Sequence, residues 1–172
     1  MTPRARSVPP PTWAWAPALA GLVLTLVVLP PFVPAPLRAA LYAAFSPVCH
    51  QLGDRSFHVA GEAFAVCHRC TGIFAGLVVG ALAWPFVRPF ADALARRAPL
   101  VLAAALAPTA LDWAVGVAGV WTNTPASRTL TGALFGAAAG VYLARGFADF
   151  GASKAPVAPV SLSPSHSTHP PA

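Results

Sequence analysis

The chain has 172 residues, of which 56% are hydrophobic and only 9% are charged. Soluble domains carry about 25% charged residues, so this composition excludes a surface that meets water on every side. The net charge of +6 does not indicate nucleic-acid binding, because the basic residues are scattered between apolar segments and form no patch. The sequence therefore predicts an integral membrane protein whose main partner is the lipid bilayer.

The first apolar segment contains no charged residue between Arg6 and Arg38. A helix needs about 20 apolar residues to cross a bilayer, so we assign the first transmembrane helix to 13–33, after a cytoplasmic tail at 1–12. A signal peptide is the alternative. We favour an uncleaved anchor, because the best cleavage site would leave Pro36 directly after the cut.

The next region, 34–69, is predicted to lie on the extracytoplasmic side. Its apolar piece, 36–45, is too short to cross a membrane, because ten helical residues extend only about 15 Å. We therefore predict an interfacial or re-entrant helix. The segments 56–59 and 63–66 flank a turn at 60–62 and predict a short β-hairpin.

Three further apolar segments follow. They predict transmembrane helices at 70–87, 98–121 and 128–147. The tail at 151–172 is rich in Pro, Ser and Ala, which predicts disorder. The expected fold is an all-α, four-helix transmembrane bundle with a short interfacial helix and a small extracytoplasmic Cys/His loop.

The basic residues predict the orientation of these helices. Seven lie on one side of the predicted membrane: Arg4, Arg6, Arg88, Arg96, Arg97, Arg145 and Lys154. Four lie on the other side: Arg38, Arg55, Arg69 and Arg128. Basic loops favour the cytoplasm, so we expect a multi-pass protein of the cell (inner) membrane with both termini cytoplasmic.

The second and fourth predicted helices share a TGxxxGxxxG pattern. Its glycines are Gly72, Gly76 and Gly80 in one helix and Gly132, Gly136 and Gly140 in the other. Glycines four residues apart form a flat helix face that allows backbones to approach closely in lipid. The pattern predicts helix packing, and an internal duplication with pseudo-twofold symmetry is a stronger interpretation of it.

All three cysteines lie in the predicted extracytoplasmic region or at its end. In one interpretation, Cys49, Cys67 and Cys70 join His50 in a Cys3His site for zinc or another transition metal. His68 is the weaker candidate for the fourth ligand, because it lies inside the Cys-x2-Cys pair.

Two other interpretations remain open. Cys67 and Cys70 stand at a helix start beside basic residues, which favours a reactive thiol–disulfide couple. Alternatively, one pair forms a structural disulfide and the remaining cysteine is inert. Covalent haem attachment is disfavoured, because Thr71 stands where that motif requires His.

Asp112 is the single charge inside the third predicted helix. A buried carboxylate in a membrane requires a partner, and Arg69 or Arg128 is its expected counter-ion. Further polar residues are expected to support the cysteine site: Gln51, Arg55 and Asn123.

These residues resemble a family of small prokaryotic membrane proteins, DUF family 2085. The resemblance rests on Cys-His-Gln at 49–51, Arg-Ser-Phe at 55–57, Cys-x-Arg-Cys-Thr-Gly at 67–72, and Asp112, Asn123, Arg128, Thr131 and Gly132. It implies a membrane protein and marks these positions, but it implies no reaction. A homo-oligomer or a partner membrane protein is compatible with this class.

Overall fold

A computed structural model describes residues 11–153. The expectations for the outermost tails, at 1–10 and 154–172, lie outside the described residues. Within residues 11–153 the fold is mostly helical, and three helices are long and apolar enough to cross a membrane: His68–Arg96, Ala98–Val117 and Pro125–Ala152. The membrane class predicted from composition is therefore supported, while the four-helix count is not matched by length alone.

The first helix, α1 (Trp15–Val28), has 14 residues and is shorter than the predicted 13–33. Two prolines explain the difference. Pro30 and Pro31 lack backbone N–H donors, so the α-helix gives way to a 3-10 turn at Pro30–Phe32. A second short helix, α2 (Ala35–Phe45), follows at the position predicted for the interfacial helix.

The predicted hairpin is present between α2 and the next helix. Strands β1 (Ser56–Val59) and β2 (Glu62–Cys67) pair antiparallel. Ala60 and Gly61 both adopt positive φ at the two-residue turn, as tight hairpin turns require. The fold thus departs from a purely α-helical structure by one small sheet.

The remaining helices are α3 (His68–Val87), α4 (Ala91–Arg96), α5 (Ala98–Val117) and α6 (Pro125–Ser153). Helix α5 ends before the predicted residue 121, because Gly119 turns the chain at positive φ.

Helix α6 begins before the predicted residue 128. The hydroxyl of Thr124 accepts a hydrogen bond from the Ser127 N–H at 3.0 Å, and the Ser127 hydroxyl accepts one from the Thr124 N–H at 3.1 Å. These bonds satisfy donors at the helix start. Pro125 occupies the first helical position, where a missing N–H costs little.

Helices α3 and α6 pack in parallel through their glycines. Added Cβ atoms at Gly72, Gly76 and Gly80 would clash with backbone atoms of Thr129, Ala133 and Ala137. Added Cβ atoms at Gly132, Gly136 and Gly140 would clash with backbone atoms of Arg69, Ile73 and Leu77. Residues 60 apart exchange places between the two sets, Gly72 with Gly132 and Thr129 with Arg69, so this helix pair has local twofold symmetry.

Helix α1 lies antiparallel along α3 in this arrangement. Near its start, Ala16 packs in a cluster with Trp84 at the far end of α3. Near its end, Val27 packs in a second cluster that includes Cys70 at the beginning of α3. The second cluster holds the hairpin and the cysteines at one end of the bundle.

Candidate metal-binding site

The segment carrying Cys49 is fixed by the side chain of Gln51. This residue has a positive φ of 50°, and its amide donates hydrogen bonds of 2.8 Å to the carbonyl oxygens of Tyr42 and Ala65. The Tyr42 hydroxyl in turn donates to the Ala63 carbonyl at 2.7 Å. These bonds attach the segment to both α2 and β2, and Cys49 lies buried between them.

The hairpin then returns the chain to Cys49. Cys67 ends β2 and immediately precedes α3, while Cys70 lies in the first turn of that helix. The Cys67 N–H donates to the Cys49 sulfur at 3.2 Å. All three cysteines are free thiols, and their Sγ atoms lie within 4.8 Å of one another. The three thiols could therefore hold one metal ion.

The thiol of Cys67, which lies outside the membrane-spanning helices, has a pKa well below its usual value. The hydrogen bond from the Cys70 side chain lowers the pKa of Cys67 to about 5, although burial acts in the opposite direction. Two further hydrogen bonds favour the Cys67 thiolate, one from the backbone N–H of Cys70 and one from the side chain of Cys49. The thiolate is the form that binds metals and attacks disulfides, so Cys67 is prepared for either chemistry.

The two nearby histidines occupy different environments. His50 is exposed and lines the same cavity as the thiols, but it is not part of the close sulfur cluster. His68 is buried, and its ring contacts the Phe57 ring edge-on at 4.4 Å. Among residues 11–153, the close cluster therefore contains the three cysteine sulfurs and no histidine nitrogen.

A cavity of about 510 Å³ opens beside the thiols. The segment between α2 and β1 contributes His50 and Arg55 to its wall, α3 contributes Arg69, and α6 contributes Arg128. Trp113 and Gly116 of α5 complete the opposite wall. Only the position of α5 reveals that Trp113 borders the site.

Asp112 pairs with Arg69 and not with Arg128. The carboxylate oxygen lies 2.6 Å from the Arg69 guanidinium, and the Asp112 side chain is only 8% exposed. The Asn123 side chain donates to the backbone carbonyl of Asp112, and Gly116 leaves the space that Asn123 occupies. Of the two expected counter-ions, the structure selects the one that also lies between Cys67 and Cys70.

Comparisons with known proteins also indicate that this chain is a membrane protein. The family model described as "Predicted membrane protein (DUF2085)" matches residues 49–142. An uncharacterised protein of Methanocaldococcus jannaschii is 35% identical over 101 residues, which cover 58% of this chain and 64% of that protein. No solved structure matches the chain. The matched residues include the cysteines, the Arg69–Asp112 pair and both glycine faces, and the chain belongs to the DUF2085 family of predicted membrane proteins.

Proposed function

We propose that this membrane protein binds a thiophilic metal ion, with zinc as the best match, through Cys49, Cys67 and Cys70. The observation that carries the proposal is the convergence of three free thiols within 4.8 Å of one another. Sulfur ligands about 2.3 Å from a tetrahedral zinc ion lie about 3.8 Å apart. Small rotations of the three side chains would thus bring the sulfur atoms to the spacing that zinc requires. The lowered pKa of Cys67 favours the thiolate form that binds metals.

His50 is the proposed fourth ligand. It follows Cys49 directly and lines the same cavity as the thiols, and it is exposed enough to rotate. Tetrahedral Cys3His sites are common for structural zinc. If His50 does not bind, the cavity leaves the fourth position to water or a solute, as in sites that handle metals or react.

Metal content measured together with free thiols tests this proposal. We expect about one zinc ion per purified chain and three thiols that react only after a chelator is added. Substituting residues that hydrogen-bond to metal ligands lowers metal affinity by up to about a hundredfold. Cys49→Ser, Cys67→Ser and Cys70→Ser should therefore each cost more than about a hundredfold.

The histidine variants provide the control. His50→Ala should weaken binding strongly, whereas His58→Ala, at an exposed histidine of β1, should leave it unchanged. A metal-free protein after reconstitution, or three cysteines with independent and additive effects, would contradict a shared metal site.

A thiol–disulfide oxidoreductase is the second candidate function. The observation that favours it is the position of Cys67 directly before α3, with Cys70 beside it. The Cys67 thiol has a pKa of about 5. Helix N-termini stabilise thiolates of this kind. A metal-free protein with a Cys67–Cys70 disulfide that a dithiol partner reduces would select this function over metal binding.

We further propose four membrane crossings, with α1 as the first. Helix α1 is too short to qualify by length, but it extends from the Trp84 end of α3 to the Cys70 end. Local thinning of the bilayer and interfacial tryptophans accommodate short helices. Four crossings place both termini on one side, and the distribution of basic residues favours the cytoplasm. The thiols would then face the extracytoplasmic side.

Reporter fusions test this orientation. A reporter that is active only outside the cytoplasm should be inactive when fused after Phe150 and active when inserted at Val59, at the exposed end of the hairpin. A cytoplasm-specific reporter should give the opposite pattern. Activity of the external reporter after Phe150 would contradict the orientation and would place the cysteines in a reducing compartment.

A further inference from the structure

The arginines that line the cavity beside the thiols outnumber the one thiolate in its walls, at Cys67. Three arginines line it: Arg55, Arg69 and Arg128. None of the described residues that line it is Asp or Glu. We propose that this cavity binds a small oxyanion, a ligand with a phosphate or carboxylate group, and that Arg128 is its principal contact. This goes beyond the proposed metal binding and holds whether or not the thiols bind a metal.

The three arginines differ in how far their charge is already compensated. Arg69 is held by the Asp112 carboxylate at 2.6 Å. Arg55 lies 3.5 Å from its neighbour Asp54, and both side chains are more than half exposed, so water screens this pair. Within residues 11–153, the Arg128 side chain forms neither a hydrogen bond nor an ion pair. Arg128 is therefore the uncompensated cation of the cavity.

A guanidinium group recognises oxyanions in a specific way. Its planar N–H groups donate two parallel hydrogen bonds to the oxygens of a phosphate or carboxylate. Arg128 lies in the first turn of α6, where the helix dipole also favours a negative charge. The guanidinium and the dipole both act at the same wall of the cavity.

The size and the remaining walls of the cavity describe the rest of the ligand. A volume of about 510 Å³ exceeds what an inorganic ion needs, and small-molecule sites begin at about 300 Å³. Trp113 and Val117 provide apolar surface on the α5 side. These features fit an anion with an organic part, which is either a free solute or the headgroup of an anionic lipid.

Binding of two probes to the purified full chain in phosphatidylcholine nanodiscs tests the proposal. Radiolabelled inorganic phosphate measures a soluble oxyanion by equilibrium dialysis, and native mass spectrometry measures added phosphatidylglycerol. Arg128→Gln removes the guanidinium, and Arg128→Lys retains a point charge. Arg88→Gln is the matched control, because Arg88 is exposed just beyond the opposite end of α3.

We expect Arg128→Gln to weaken binding of one probe by at least about tenfold, since a hydrogen bond to a charged group contributes that much. Arg128→Lys should lose less, and Arg88→Gln should bind like the parent. Phosphate binding identifies a soluble ligand, and lipid binding alone identifies a headgroup. Failure of the parent to bind either probe, or equal losses in Arg128→Gln and Arg88→Gln, would overturn the proposal.

The metal content of the same preparations separates this inference from the proposed function. Arg128→Gln should retain its metal, because Arg128 contributes no thiol or imidazole ligand. Unchanged helical circular dichroism would show that the variant is folded. A folded, metal-loaded Arg128→Gln that binds both probes as the parent does would refute the anion site and leave the metal site intact.

Discussion

Gly76→Leu and Gly136→Leu should each destabilise the bundle by about 3 kcal/mol or more, the upper end of overpacking effects. An added Cβ alone would clash with backbone atoms of Ala133 at Gly76 and of Ile73 at Gly136. Backbone cannot rotate away as a side chain can, so α3 and α6 would have to separate. The unfolding temperature of purified protein in detergent, and the amount that accumulates in membranes, measure this effect.

Gly146→Leu is the control for helix propensity and added hydrophobic bulk. Gly146 lies in α6, the helix that contains Gly136, and no atom lies within 4 Å of a Cβ added there. We expect this variant to unfold like the parent or at a slightly higher temperature, because glycine inside a helix is itself unfavourable. If Gly76→Leu and Gly136→Leu unfold at the temperature of Gly146→Leu, the two glycine faces do not hold the helices together.

Asp112→Asn should cost about 2 kcal/mol or more of folding free energy, because it leaves the Arg69 guanidinium partly buried without its carboxylate. The Arg69 side chain is 22% exposed, so water offsets part of the cost of a fully buried pair. The change should also lower metal affinity by about tenfold, as for other groups that orient ligands. Arg69 lies in the first turn of α3 beside Cys70, and its displacement would disturb that cysteine.

Asp92→Asn is the matched control. Asp92 is 91% exposed and lies 3.7 Å from Arg145, which keeps a second carboxylate partner in Asp149, so the loss of the Asp92 charge should cost little. The double variant Arg69→Gln/Asp112→Asn should lose less stability than the sum of its two single changes, since no unpaired charge remains. An Asp112→Asn protein as stable as Asp92→Asn would show that the ion pair does not support the site.

The candidate site could be predicted in part from residue order alone. The turn at Ala60 and Gly61 follows from local chemistry, and an antiparallel hairpin necessarily returns its second strand to the start of the first. Such a return places Cys67 near the segment that carries Cys49. The third thiol follows from helix geometry, since Cys70 is one turn beyond Cys67. His50 could not be placed in the same way, because its ring position depends on side-chain rotation within a cavity.

The choice of partner for Asp112 also required the tertiary structure. The sequence offers Arg69 and Arg128 at the starts of two similar helices, and both are close enough in principle. The rotation of α5 against α3 and α6 decides between them, and it is fixed by contacts such as the hydrogen bond from the Thr109 hydroxyl to the Thr131 carbonyl at 2.8 Å. The uncompensated charge of Arg128 is a consequence of that choice.

The sequence by itself determined the membrane class, the hairpin and the glycine faces. Each of these depends on composition or on a period that a single helix or strand imposes locally. Only the tertiary structure decided that three thiols converge while His50 stays apart, and that a cationic cavity opens beside them. These features form where separate elements of the chain pack together. Such contacts join residues that are far apart in the sequence, so no local pattern predicts them.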